Sequence, residues 1–147
     1  MTIYFPYKPY DCQIEYMTQV IEALNNGENA LLQSPSGTGK TLSLLCACFG
    51  WINKRREEYK NSQAMFEYER NQIVLSTKTF SQINQVVEEL SKTCYEPIKS
   101  ILGSKTNLCV NKRVLKDENV SSINEGCKIE RLKQTCTYYS EYKKSNI

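Results

Sequence analysis

Ser34-Pro35-Ser36-Gly37-Thr38-Gly39-Lys40-Thr41 stands between a short apolar run, Ala30-Leu31-Leu32-Gln33, and a long apolar segment from Leu42 to Ile52. That order predicts strand, glycine-rich loop and helix, the setting a phosphate-binding loop requires. Such a loop wraps a polyphosphate in backbone N–H groups. Gly37 and Gly39 carry no Cβ, so the backbone can take positive φ there and come close to the oxygens. The N-terminus of the following helix adds unpaired amides and the positive end of its dipole. Lys40 would reach the β- and γ-phosphates of ATP, and the Thr41 hydroxyl would ligate Mg²⁺. Ser34 occupies the place where the pattern usually has its first glycine. The alternative is a Gly/Ser surface turn with a chance lysine. The flanking strand and helix patterns favour the phosphate loop.

The 147 residues make one ordinary domain at most, or a piece of a larger one. An apolar fraction of 40% is enough for a core, and 24% charge is average. The net charge of +3 permits a nucleic-acid partner without arguing for one. Residues 1–12 are aromatic and polar, without the basic start and apolar centre of a signal peptide. The uncharged stretch Thr41 to Asn53 is too short to span a bilayer, so a soluble intracellular protein is expected. Seven cysteines in that setting read as buried thiols or metal ligands rather than a disulfide framework. Histidine is absent, which removes the commonest general base and metal ligand.

Tyr4, Phe5, Tyr7 and Tyr10 alternate with Pro6 and Pro9, which favour an extended path with the rings against a protein surface or a base. Asp11 is a suitable N-cap, and Ile14, Met17, Val20, Ile21 and Leu24 predict an amphipathic helix over 12–25. Gly27 suits a left-handed cap at its end. Leu42, Leu45, Phe49 and Ile52 share a face of the next helix. The charged segment Lys54 to Asn71 reads as a solvated helix extension plus a loop. Ile73-Val74-Leu75 suits a buried strand of a parallel sheet. Thr79 and Gln82 form a capping box ahead of an apolar stripe of Ile83, Val86, Val87 and Leu90. Residues 29–92 therefore predict the opening of a doubly wound α/β fold, with nucleotide at the carboxyl ends of the strands.

After Pro97, Ile98 to Leu102 is expected as a short strand and Gly103-Ser104 as a turn. Residues 105–147 are polar and basic in patches. Cys109, Cys127 and Cys136 are spaced C-x17-C-x8-C. Three thiolates are one short of the four that close a zinc site or a cubane cluster, so metal ligands and ordinary thiols both stay open.

Phe5-Pro6-Tyr7-Lys8-Pro9-Tyr10, Gln13, Tyr16-Met17 and Ser34 to Leu42 resemble the N-terminal motifs of the iron–sulfur (XPD/Rad3-like) DNA helicases of superfamily 2. Ser76-Thr77-Lys78-Thr79-Phe80-Ser81-Gln82-Ile83 to Glu88-Glu89-Leu90 resembles the next motif, and Leu102-Gly103-Ser104 to Leu108-Cys109 the entry to the iron–sulfur domain. The resemblance runs over nearly the whole chain except the charged insert. It implies a P-loop (RecA-like) motor domain of α/β class, first part only, over 1–100. A mainly helical iron–sulfur domain, incomplete here, would begin over 101–147. It implies that Gln13 reads the adenine edge, where its amide can both donate and accept. From the residues alone, a solvent-facing polar side chain is the preferred reading of Gln13. The resemblance further implies that Lys78, Thr79, Ser81 and Gln82 touch a single-strand backbone, where a lysine, hydroxyls and a helix start gather. The family usually has arginine and histidine where Lys78 and Phe80 stand, and lysine lacks the bidentate fork. A capped helix start without ligand is the alternative. Cys109, Cys127 and Cys136 match three of the four ligands of a [4Fe-4S] cluster, the fourth falling past Ile147. Cys12, Cys46, Cys48 and Cys94 match none and read as plain thiols.

The family's Asp-Glu-Ala-His motif has no counterpart. The only Asp-Glu pair, Asp117-Glu118, follows no strand. Phosphoryl transfer needs that acidic pair and the arginine fingers of a second motor domain. This polypeptide alone is therefore expected to be inactive as an ATPase, and to be an N-terminal piece of a helicase. The first motor domain also needs further strands, so folding alone is not expected to be stable. The resemblance implies ATP, Mg²⁺ and single-stranded and forked DNA as ligands, a nuclear location, a role in DNA repair and no membrane. Two other classes fit the phosphate loop. A small P-loop kinase would show acceptor-dependent transfer without response to DNA, although no arginine-rich lid is visible. A non-catalytic nucleotide- or metal-binding regulator would bind ATP without turnover.

Overall fold

The computed structural model describes residues 3–61, 72–116 and 121–145. The chain divides into two compact units, Met1–Lys99 and Ser100–Ile147.

The first unit is built on three helices. Helix α1, Asp11–Asn26, buries Gln13, Met17 and Val20 on one face. Asp11 is not its N-cap. Tyr10 takes that place with extended backbone, and its N–H donates to Gln13 Oε1 at 2.9 Å. The amide of Gln13 reaches back and satisfies the entry, so Asp11 moves into the first turn, where its charge suits the dipole. Gly27 closes the helix at φ 68°, and its N–H donates to Ala23 O, the expected left-handed cap.

Helix α2, Lys40–Asn61, is the longest element at 22 residues. Leu42, Leu45, Cys46, Ala47 and Ile52 are buried, and Phe49 is half-buried. Its charged end carries the expected helix extension as far as Asn61. The expected loop beyond it lies outside the described residues. Helix α3, Phe80–Ser91, starts at the predicted capping box: Thr79 N–H donates to Gln82 Oε1 at 3.1 Å, and Gln82 N–H to Thr79 Oγ1 at 3.4 Å.

Met17, Val20, Leu42, Leu45, Cys46, Ala47, Leu90 and Tyr95 form one buried cluster. Tyr95 stacks on Phe49 with ring centroids 5.6 Å apart, and its hydroxyl accepts from Tyr4 N–H at 3.1 Å. That bond holds the N-terminal segment down. Ile3 and Phe5 pack on the cluster while Tyr4, Tyr7 and Tyr10 stay exposed.

The expected sheet is not present among the described residues, which contain helices and no strand. Residues 31–34 and 72–77 do alternate in burial with a period of two. Leu32 and Leu75 pack on the cluster, while Leu31 is fully exposed and Val74 is 83% exposed. Ile98 and Leu102 are exposed as well. A strand is defined by its ladder, and none of these segments has a backbone ladder partner among the described residues.

The second unit consists of short helices: α4 Lys105–Leu108, α5 Lys112–Lys116, α6 Ile123–Leu132 and α7 Thr137–Ser145. Helices α4 and α5 both pack on α6. Asp117-Glu118 lies outside the described residues. No helix among the described residues is long and apolar enough to cross a membrane.

Candidate nucleotide site

Gly37 has φ 82° and Gly39 has φ 73°, the left-handed backbone that their lack of a Cβ allows. The chain then enters α2 at Lys40, and Ser43 N–H donates to Gly39 O at 3.0 Å. The first amides of α2 have no intrahelical acceptor, which leaves them for an anion.

Within the loop, Lys40 Nζ donates to Ser34 O at 2.8 Å and to Pro35 O at 2.6 Å. The ammonium is thus held over the two carbonyls that open the turn. Thr38 Oγ1 donates to Pro35 O at 2.9 Å and lies 2.6 Å from Ser34 Oγ. Ser34, at the place of the usual glycine, therefore ties the two limbs of the turn through its hydroxyl.

Gln13 is buried against this loop. Its Nε2 donates to Thr38 O at 3.0 Å while its Oε1 accepts from Tyr10 N–H. A Cβ on Gly39 would stand 2.7 Å from that Nε2. Gln13 thus joins the entry of α1 to the phosphate loop. Periodicity could not give this contact, because it spans 25 residues of sequence.

Lys78, Thr79, Ser81 and Gln82 are brought together at the start of α3, all exposed. Thr79 Oγ1 lies 3.1 Å from Ser81 Oγ, and Gln82 is engaged in the cap. Cys109 follows α4, Cys127 lies on α6 and Cys136 precedes α7, each a half-buried free thiol. Among the described residues, no three Cys, His, Asp or Glu side chains stand together in a way that could hold a metal ion. The three thiols that the resemblance implies as cluster ligands are not gathered among the described residues. Of the other four thiols, Cys12 and Cys94 are exposed, and Cys46 is fully buried. Burial, with a smaller contribution from Cys94, pushes the Cys46 thiol up to about 12.

The DEAD_2 family model matches residues 75–147. Residues 75–147 belong to this family of XPD-like helicases. It is similar to proteins named regulator of telomere elongation helicase 1 homolog. The Drosophila persimilis protein is 34% identical over 165 residues, covering 92% of this chain and 16% of the relative. The Aedes aegypti protein is 33% identical over 180 residues, covering 95% and 18%. The Drosophila melanogaster protein is 30% identical over 165 residues, covering 92% and 17%. The chain thus spans less than a fifth of the length of these relatives. No solved structure matches.

Proposed function

We propose that this chain is the nucleotide-binding part of an ATP-dependent DNA helicase that serves telomere maintenance and DNA repair in the nucleus. The observation that carries the reading is the loop of Gly37 and Gly39 at positive φ, with Lys40 Nζ held at its mouth. Lys40 would exchange the Ser34 and Pro35 carbonyls for phosphate oxygens of ATP. Thr41, next on α2, would offer its hydroxyl to Mg²⁺. Gln13 keeps one amide hydrogen and one carbonyl lone pair beyond its two bonds, which suit an adenine edge.

Segments 30–33 and 72–77, with Leu32 and Leu75 packed on the cluster, would be strands of an α/β RecA-like sheet in the whole protein. The exposed start of α3 would meet a single-strand phosphate. Cys109, Cys127 and Cys136 share one unit, and loading of a [4Fe-4S] cluster would itself draw the thiols together, since metal binding couples to folding. Anaerobic reconstitution tests that part: zinc bound without sulfide overturns it.

Without the Asp-Glu-Ala-His motif, the 147 residues bind ATP without turnover. Calorimetry with Mg-ATP tests the site. Lys40→Ala removes a charge-assisted contact, so affinity should fall about 10- to 100-fold. Equal affinity in parent and variant overturns the assignment.

A further inference from the structure

We propose that this chain pairs with a second copy of itself through residues 72–77, as a two-stranded antiparallel ribbon across a two-fold axis. Gln72-Ile73-Val74-Leu75-Ser76-Thr77 carries no charge, no proline and no glycine, and its isoleucine, valine and threonine suit a pleated strand. Its side chains already alternate: Ile73, Leu75 and Thr77 are half-buried, while Gln72, Val74 and Ser76 are exposed. Leu75 packs on the buried cluster, which fixes the inner face.

What the segment lacks is a neighbour. Among the described residues, no backbone group of 72–77 bonds to another backbone group. A row of N–H and C=O groups in that state is a template for another chain. Natural edges are guarded by a charge or a proline, and neither stands between Gln72 and Thr77. The other strand-like segment, 31–34, is less available. Ser34 O accepts from Lys40 Nζ at 2.8 Å, Ser34 Oγ lies 2.6 Å from Thr38 Oγ1, and Pro35 follows directly.

A second copy fits this edge better than any other occupant. The 147 residues span less than a fifth of their relatives, and none of the described ones covers the segment. A copy brings the same unguarded edge, and an uncharged strand meets no like charge across the axis. Antiparallel pairing with Val74 opposite Val74 sets Ile73 against Leu75 and Gln72 against Ser76. Directly opposite residues share a face of the ribbon. This register therefore keeps the half-buried residues on the core side and the exposed ones outside, whereas a slip of one residue would mix them. It also places the two copies of Lys78 at opposite ends. Val74, 83% exposed in one chain, gains a β-branched partner. Both copies use the same edge, so the contact closes at two.

The pairing shares with the sheet proposed above only the strand form of 72–77, and it does not rest on ATP or DNA. The test is sedimentation velocity on the 147-residue chain across a concentration series, where monomer should give way to a discrete dimer. Val74→Lys leaves the cluster untouched and sets two ammonium groups face to face, so the dimer Kd should rise at least about fivefold. Val74→Glu alone should do the same. An equimolar mixture of the two variants should return to within about twofold of the parent, because opposite charges then face each other. Leu31→Lys should leave the Kd unchanged. A parent that stays monomeric yet binds Mg-ATP would sink the pairing alone, whereas a dimer that fails to bind Mg-ATP would sink the nucleotide reading and support the pairing. Fibres without a discrete dimer, parental association in Val74→Lys, no recovery in the mixture, or a dimer lost with Leu31→Lys would each overturn it. Hydrogen exchange on the parent needs no variant to fold: amides within 72–77 should slow at high protein concentration, and protection gained only elsewhere would overturn the assignment.

Discussion

The two units hold themselves together by different means. Residues 1–99 gather eight buried side chains from α1, α2, α3 and the Tyr95 turn into one cluster. Residues 100–145 have helices of four to ten residues, and Val114 is the single buried apolar side chain described there. Helices that short gain little from propensity and depend on packing. The first unit supplies that packing internally. The second does so only in small part, and its most organised feature is a charged cleft built on one aromatic ring. Burial thus shapes the first unit, while polar and cationic contacts shape the other.

The sharpest way to break that contrast is to cut one apolar side chain from each unit. Leu45→Ala should cost about 2–5 kcal/mol by denaturant unfolding, because its neighbours on α1 and α2 cannot close the gap. Val114→Ala should cost about 1.5 kcal/mol, and amides of α1 and α2 should keep their hydrogen-exchange protection. Loss of protection there would show the two units to unfold as one.

A chemical probe comes next. Native Cys12 and Cys94 should alkylate readily, while Cys46 should wait for unfolding. Its thiol sits at about 12 against an ordinary 9.0, so its thiolate fraction is suppressed on the order of a thousandfold. The folded state therefore keeps a proton that the unfolded chain releases. The stability this contributes is full below pH 9.0 and is lost as pH rises toward 12. Cys48, Tyr16 and Tyr95 are raised by burial too and act in the same direction. Melting temperatures should fall across that window, less steeply in Cys46→Ala. Prompt labelling of Cys46 at neutral pH would show the cluster to be open.

The smallest effect is expected at Ser43, on α2 inside the cluster. Its hydroxyl is buried with no hydrogen-bond partner among the described residues. Ser43→Ala should raise stability by about 1 kcal/mol, since an unpaired buried hydroxyl is a desolvation cost. A loss of stability there would mean that the hydroxyl is satisfied in solution.

The helices of the first unit were legible because their signals are local. The apolar spacing of Met17 and Val20, the Thr79–Gln82 box and the Gly27 cap each act within one or two turns. The glycine-rich turn and the helix start at Lys40 were legible for the same reason. The sheet is not formed among the described residues: Ile73-Val74-Leu75 and Ala30 to Gln33 carry the pattern of strands, but a ladder needs partners that local pattern cannot supply. The Gln13 contact with Thr38 and the meeting of Arg131 with Tyr139 were illegible too. One crosses 25 positions, and the other depends on a left-handed residue that is not glycine.

The relay from Tyr10 through Gln13 to Thr38 has a practical corollary for anyone preparing this protein. A purification handle fused ahead of Met1 would tug on the same few residues that brace the glycine-rich loop, the proposed nucleotide site. Weak nucleotide retention by such a fusion would then be an artefact of where the handle was attached, and moving it to the carboxyl end should restore binding.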